Sequence, residues 1–316
     1  MTLDTREGEV ADLAVLPDGR MWVAMNVRKP GNLSPQPRIA LFDAAGVFTG
    51  IEAFGFLGQG VRGIAADADG GCFAVGFASA GNDLDFAYWR IDDAGTQTLG
   101  ETWDYVPLDK PHLFSEFAMD VVIDGDVAWV VGASNGKHTN PVLIETRGVL
   151  VPMDLHTGEV VAPVIVAAAS APYTQSAFFG AGHHPLGVLV TGYGCDKDCA
   201  DYQIETSLYA PTGLRLWHTA DAAGAGKRYG SDVVADSQGR ALVSGAVPDK
   251  GVLRGYVFAH NVGGDEVLPL FDHWFPPSAA ASEALGVLVD AYDRLFVGGY
   301  ITANGATQGH LVLLHQ

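Results

Sequence analysis

The chain is predicted to be all-β, a six-bladed β-propeller of four-stranded blades, and three observations carry that reading. A unit of two short apolar strands around an Asp/Gly-rich turn recurs six times. Its copies begin at residues 12, 63, 120, 179, 232 and 286, evenly spaced through all 316 residues. No segment holds a 3.6-residue apolar period over three turns, so helices should be scarce. A four-stranded meander repeated at roughly 40–55 residues is the pattern of propeller blades.

The clearest copy is Ser231-Asp-Val-Val-Ala-Asp-Ser-Gln-Gly-Arg-Ala-Leu-Val-Ser-Gly245. The first copy carries the turn Pro17-Asp-Gly19, the second Asp67-Ala-Asp-Gly70 and the third Asp124-Gly125. The fourth carries His183-His184-Pro185 and the sixth Asp290-Ala-Tyr-Asp293. A third apolar stretch follows each copy, as in Arg38-Ile-Ala-Leu-Phe-Asp43 or Phe86-Ala-Tyr-Trp-Arg-Ile-Asp92. A fourth follows in five of them, for example Leu214-Arg-Leu-Trp217 and Val267-Leu-Pro-Leu-Phe271. Asp and Gly at the turns supply the positive φ that tight hairpins need. The sixth copy ends after its third strand. Its fourth is expected from residues 2–6, pairing beside residues 311–314, so that residues 1–316 form a single closed propeller domain and no sheet edge stays exposed.

Composition narrows the function. With 18 Lys plus Arg against 37 Asp plus Glu, the net charge is −19, which argues against nucleic acid or anionic lipid as partner. No apolar run approaches the roughly 18 residues of a membrane span, and the polar start Met1-Thr-Leu-Asp-Thr-Arg-Glu7 is not a signal peptide. A monomer that binds a small ligand or a protein is expected.

The run at 232–245 resembles the bacterial beta-propeller repeat family (SBBP type) and, more loosely, NHL repeats. The resemblance extends over all six copies and is weakest in the fourth, where Phe179 and the two histidines replace Asp. It implies a propeller fold and an extracytoplasmic place, secreted, periplasmic or cell-surface with the leader absent from this chain, more than it implies an activity.

In a propeller, strand A is innermost and the A–B and C–D turns share one rim. Here those turns are tight, whereas the long connections (residues 26–37, 104–117, 133–146, 167–176, 193–203, 218–229 and 272–282) all belong to the rim where strand A begins. Long loops on a rigid scaffold are where binding residues gather. The first repeat position at that rim reads Asp12, Gly63, Asp120, Phe179, Asp232 and Gly286. Asp12, Asp120 and Asp232 suit a hard cation such as Ca²⁺ at the channel mouth, with oxygens from Glu116, Ser231 and Glu283, and Arg62 suits an acidic ligand. The alternative is structural: each Asp accepts hydrogen bonds from backbone N–H groups of the neighbouring blade. Tyr105, His112, His138, Tyr173, His218, Tyr229, His273 and Trp274 fall on the loops and would line a pocket or cover the blade ends.

Other motifs are weaker. Gly58-Gln-Gly-Val-Arg-Gly63 matches G-x-G-x-x-G but leads into a strand, so no helix N-terminus meets a pyrophosphate. Gly224-Ala-Gly-Lys-Arg228 lacks the first Gly and the Ser/Thr of a phosphate loop. No G-x-S-x-G elbow occurs. Cys195-Asp-Lys-Asp-Cys199 suits a disulfide in an oxidising compartment, with free thiols or a metal as alternatives. Cys72 reads as a small buried hydrophobe, and His183 and His184 as solvated turn residues. Two function classes follow: an extracytoplasmic binding or interaction propeller with a loop-rich acidic face, or a Ca²⁺-dependent hydrolase or lyase with its site at the channel mouth.

Overall fold

A computed structural model describes residues 8–28, 36–54, 60–80, 83–103, 115–136, 145–167, 175–196, 199–221, 226–263, 271–275, 281–303 and 306–314. It is all-β, six antiparallel sheets that are the blades of a β-propeller, with no helix among the described residues. The chain divides into two units, Met1–Val164 and Ile165–Gln316.

In the first unit, blade 1 is β1 (Gly8–Val15), β2 (Met21–Val27), β3 (Gln36–Phe42) and β4 (Phe48–Phe54). Blade 2 is β5 (Gly60–Ala66), β6 (Cys72–Ala80), β7 (Asp83–Ile91) and β8 (Gln97–Trp103). Blade 3 is β9 (Glu116–Asp124), β10 (Val127–Gly136) and β11 (Glu145–Asp154), and its sheet ends on the two-residue β12 (Ile165–Val166). In the second unit, blade 4 is β13 (Gln175–His184), β14 (Gly187–Cys195), β15 (Tyr202–Tyr209) and β16 (Arg215–Asp221). Blade 5 is β17 (Tyr229–Ala235), β18 (Arg240–Asp249), β19 (Val252–Asn261) and β20 (Phe271–Phe275). Blade 6 has three strands among the described residues, β21 (Ala281–Val289), β22 (Leu295–Ala303) and β23 (Ala306–Leu314). Residues 2–6, the expected closing strand, lie outside the described residues.

Packing follows from alternation. In blade 1, Ala14 and Leu16 turn into a core shared with Ile64, Cys72 and Trp89 of blade 2, and Trp22 donates its indole N–H to the Gly70 carbonyl (3.0 Å). In the second unit Leu189 and Leu208 of blade 4 pack with Val233, Val243 and Phe258 of blade 5. The turn aspartates act as expected of such hairpins. Asp236 accepts from the N–H groups of Gln238 and Arg240, and Asp290 from those of Tyr292 and Arg294.

Every innermost strand carries a β-bulge at the same place, skipping Ala11, Arg62, Met119, Phe179, Ser231 and Leu285. This corrects the fourth copy. Phe179 is the bulged residue, equivalent to Arg62 and Ser231, and the first repeat position belongs to Gly180, which pairs with Thr191 as Asp232 pairs with Ser244. That position therefore alternates Asp, Gly, Asp, Gly, Asp, Gly. At Gly63 and Gly180 the reason is steric. A Cβ on Gly63 would lie 2.6 Å from the Asp120 Cα, and one on Gly180 would lie 2.4 Å from the Asp232 Cα.

Three further expectations change. Residues 218–221 continue strand β16, so His218 is a strand residue opposite Ser207 rather than a loop residue. Blade 5's fourth strand is Phe271–Phe275 rather than residues 267–271, which moves His273 and Trp274 out of a loop and opposite Val257 and Tyr256. Tyr229 likewise opens β17, opposite Ala246. Pairing with the third strand carries β16 and β20 past the expected limits, and pairing with the second strand extends β17 back to Tyr229. His184 is buried, accepting from the Leu186 N–H at Nδ1 (3.1 Å). That fixes its proton on Nε2, which donates to the Gly239 carbonyl (3.1 Å).

Candidate functional site

The repeat aspartates are engaged by backbone. Asp12 accepts from Leu13 N–H at Oδ1 (2.7 Å) and from Ile64 N–H of blade 2 at Oδ2 (2.8 Å). Asp232 repeats this with Val233 (2.7 Å) and with Val287 of blade 6 (2.8 Å). Asp120 Oδ1 accepts from Val121 N–H (2.7 Å). Burial pushes the Asp232 carboxyl up to about 6 against the pull of its two amides. Among the described residues no group of three or more His, Cys, Asp or Glu side chains converges as a metal site. Arg62 is exposed and lies over the Phe77 ring (5.5 Å). Glu116 is buried, accepting from the Ser134 hydroxyl (2.9 Å).

The second unit gathers polar and aromatic side chains at the start of its innermost strands. Tyr229 opens β17, and Glu283 holds the same repeat position on β21, three residues before Gly286. Tyr300 on β22 is the direct cross-strand partner of Glu283. The Glu283 carboxylate lies near enough to the Tyr229 and Tyr300 phenols to act on the titration of both. Burial, reinforced by that carboxylate, drives the Tyr229 phenol far up and the Tyr300 phenol up to about 12. Both are therefore protonated donors at neutral pH.

Rings extend this trio into an arc. Tyr229 meets Phe179 edge-on (6.0 Å), Phe179 meets Tyr193 (5.5 Å), and Tyr193 stacks on Tyr202 (4.7 Å). Burial raises the Tyr193 phenol to about 12, helped by Tyr202. Backbone ties hold the approach to β17 against blade 4: Gly226 N–H donates to Asp201 Oδ1 (2.8 Å) and Tyr202 N–H donates to the Gly226 carbonyl (3.1 Å). The disulfide joins Cys195 to Cys199, and Cys195 is the cross-strand partner of Tyr202, so the bridge closes the hairpin that carries both stacked tyrosines.

Two residues singled out from the sequence, Tyr229 and Glu283, thus meet, and Ser231, whose buried Oγ has no hydrogen-bond partner, is the bulge between Tyr229 and Asp232. Tyr105, His112, His138 and Tyr173 lie outside the described residues, as do the side chains of His273 and Trp274. His218 is half-buried on β16, and burial lowers its pKa. The arc adds Phe179, Tyr193, Tyr202 and Tyr300. A sequence signal marks two of them: an aromatic follows the terminal Gly of strand B in alternate copies, Gly76-Phe77, Gly192-Tyr193 and Gly299-Tyr300. Cys72 is a buried free thiol whose pKa burial pushes well up.

The bulged, meandering blades define this chain as a β-propeller protein. No protein-family model matches the chain, and no curated protein matches it in sequence. Solved structures are similar in fold. One is the GH93 α-L-arabinofuranosidase of Fusarium graminearum in complex with arabinobiose, with a TM-score of 0.60 at 14% identity, over 96% of this chain and 92% of that one. Another is an ulvan lyase of polysaccharide lyase family PL25 bound to -[GlcA(1-4)Rha3S]-, with a TM-score of 0.58 at 11% identity, over 95% of this chain and 79% of that one. Among the described residues no helix is long and apolar enough to cross a membrane.

Proposed function

We propose that this protein is an extracytoplasmic saccharide-binding propeller of the bacterial beta-propeller-repeat kind, with its site on the arc of the second unit. The observation that carries the reading is the grouping of two phenols, Tyr229 and Tyr300, around the Glu283 carboxylate, Tyr300 as its cross-strand partner, beside a row of aromatic rings. Sugars present hydroxyls in pairs and an apolar C–H face. The carboxylate, with about four acceptor sites, has capacity for ligand hydroxyls, and the rings supply the flat apolar surface. The two solved structures above, a polysaccharide lyase and an arabinofuranosidase, support the choice of ligand class. The disulfide supports an oxidising compartment.

Binding is favoured over turnover by proton chemistry. A general base works best with a pKa near the operating pH, and both phenols here are pushed upward, away from it. The test is calorimetric titration of the full chain with a panel of neutral and acidic oligosaccharides. At least one should bind, and Glu283→Gln should weaken it about tenfold, since a hydrogen bond to a charged group is worth roughly 1.5–3 kcal/mol. Unchanged affinity in a folded Glu283→Gln variant would refute the site. Release of new reducing or unsaturated ends from any of the sugars would show an enzyme instead.

A further inference from the structure

Beside the arc, a chain of net charge −19 places two adjacent cations. Lys227 is exposed, its ammonium 5.7 Å from the centre of the Tyr202 ring. Arg228, next in the chain and immediately before Tyr229, is 6% exposed, and its Nε is sealed from water without a hydrogen-bond partner. Neither has a carboxylate partner among the described residues. In the equivalent repeat position, four residues before the Asp/Gly site, the neighbouring blade carries Ser282, whose hydroxyl accepts the Gly255 N–H (2.9 Å). A small neutral group completes the backbone there, so packing does not require a guanidinium at this position. Keeping a largely buried guanidinium whose Nε lacks a partner carries a desolvation cost, and an arriving anion offsets that cost while gaining charge-assisted hydrogen bonds.

We infer that the arc takes an acidic saccharide, with its anionic group, carboxylate or sulfate, held by Lys227 and Arg228 next to Tyr202 and Tyr229. The inference rests on the saccharide reading and names its ligand class. It is tested by titrating the full chain with oligogalacturonate, with the carboxyl-reduced neutral form of the same oligomer, and with a sulfated galactan oligosaccharide. An acidic ligand should bind about tenfold or more tighter than the neutral one, with a preference that shrinks as salt is added. Preference for the uronate assigns a carboxylate, preference for the galactan a sulfate, and either supports the inference. Arg228→Gln should abolish the preference. Because that residue is buried and its variant can unfold, the exposed Lys227→Met variant is measured alongside and should reduce the preference by severalfold. Equal affinity for acidic and neutral ligands overturns the acidic assignment and leaves the saccharide reading standing, as does an unchanged preference in folded Lys227→Met. Binding of none of the three overturns both.

Discussion

The two units carry one repeat and put its equivalent positions to different ends. In the first unit the residue after strand B's last repeat position is Asn26 in blade 1, and its amide is taken up by backbone and by its cross-strand partner Glu9, whose Oε1 accepts from Nδ2 (3.4 Å). Asn26 Oδ1 accepts the Val61 N–H and its Nδ2 donates to the Val61 carbonyl, both at 2.9 Å. In blade 2 the same position is Phe77, lying over Gly60 and under Arg62. In the second unit that position holds Tyr193 and Tyr300, and the strand A position opposite Tyr300 holds Glu283. The scaffold asks only that these places be filled. A side chain that fills one with an amide matched to backbone leaves no atom for a ligand, whereas a phenol fills it with its ring and leaves a hydroxyl.

Several substitutions would break or sharpen this contrast. The largest effect should come from the feature the units share: Gly63→Ala and Gly180→Ala each drive a Cβ into the next blade's Asp backbone, and each should cost about 3 kcal/mol by chemical denaturation. A loss below 1 kcal/mol would show that the blades can separate locally. Next, Asn26→Leu strands the Val61 N–H and carbonyl and should cost about 2 kcal/mol, with no change in saccharide affinity. Tyr229→Phe and Tyr300→Phe should do the reverse, weakening the ligand about tenfold, or about 1.4 kcal/mol, while stability barely moves. If the tyrosine variants lose stability and keep affinity, the contrast between the units collapses.

A smaller effect concerns the shared aspartate. With a folded pKa of about 6, raised above its unfolded value, Asp232 contributes stability that is whole below about pH 4 and is lost as the pH rises through 6. After discounting for partial exposure this amounts to about 1 kcal/mol. Asp232→Asn should flatten that part of the stability–pH curve, with Asp12→Asn as the reference from the first unit. An identical slope in wild type and Asp232→Asn would rule the effect out. Smallest of all, millimolar Ca²⁺ or its chelation should leave the Tm unmoved, since both oxygens of Asp12 and of Asp232 already accept amides. A rise of several degrees would restore a cation to the repeat aspartates.

Much of this fold was legible in the sequence because its cues are local. Six copies of a strand–turn–strand unit, with Asp and Gly where the turns need them, imply six meanders whatever else the chain does. The cysteine spacing pointed to the Cys195–Cys199 bridge for the same reason, since four residues of separation bring two thiols together within one loop. The candidate site was half legible. Tyr229 and Glu283 stood out as residue types at a functional rim, yet 54 positions separate them, and nothing local says that one reaches the other.

What the tertiary structure alone decided is register. The bulge that makes Phe179 the extra residue, and Gly180 the partner of Thr191, is set by hydrogen bonding to the neighbouring strand, and a one-residue slip moves every side chain to the opposite face. That same pairing puts Tyr300 across from Glu283 and carries β16 through His218. Composition and spacing determine which strands exist, because propensity and turn chemistry act over a few residues. Which side chains meet is determined by ladders between strands, whose register depends on both partners at once.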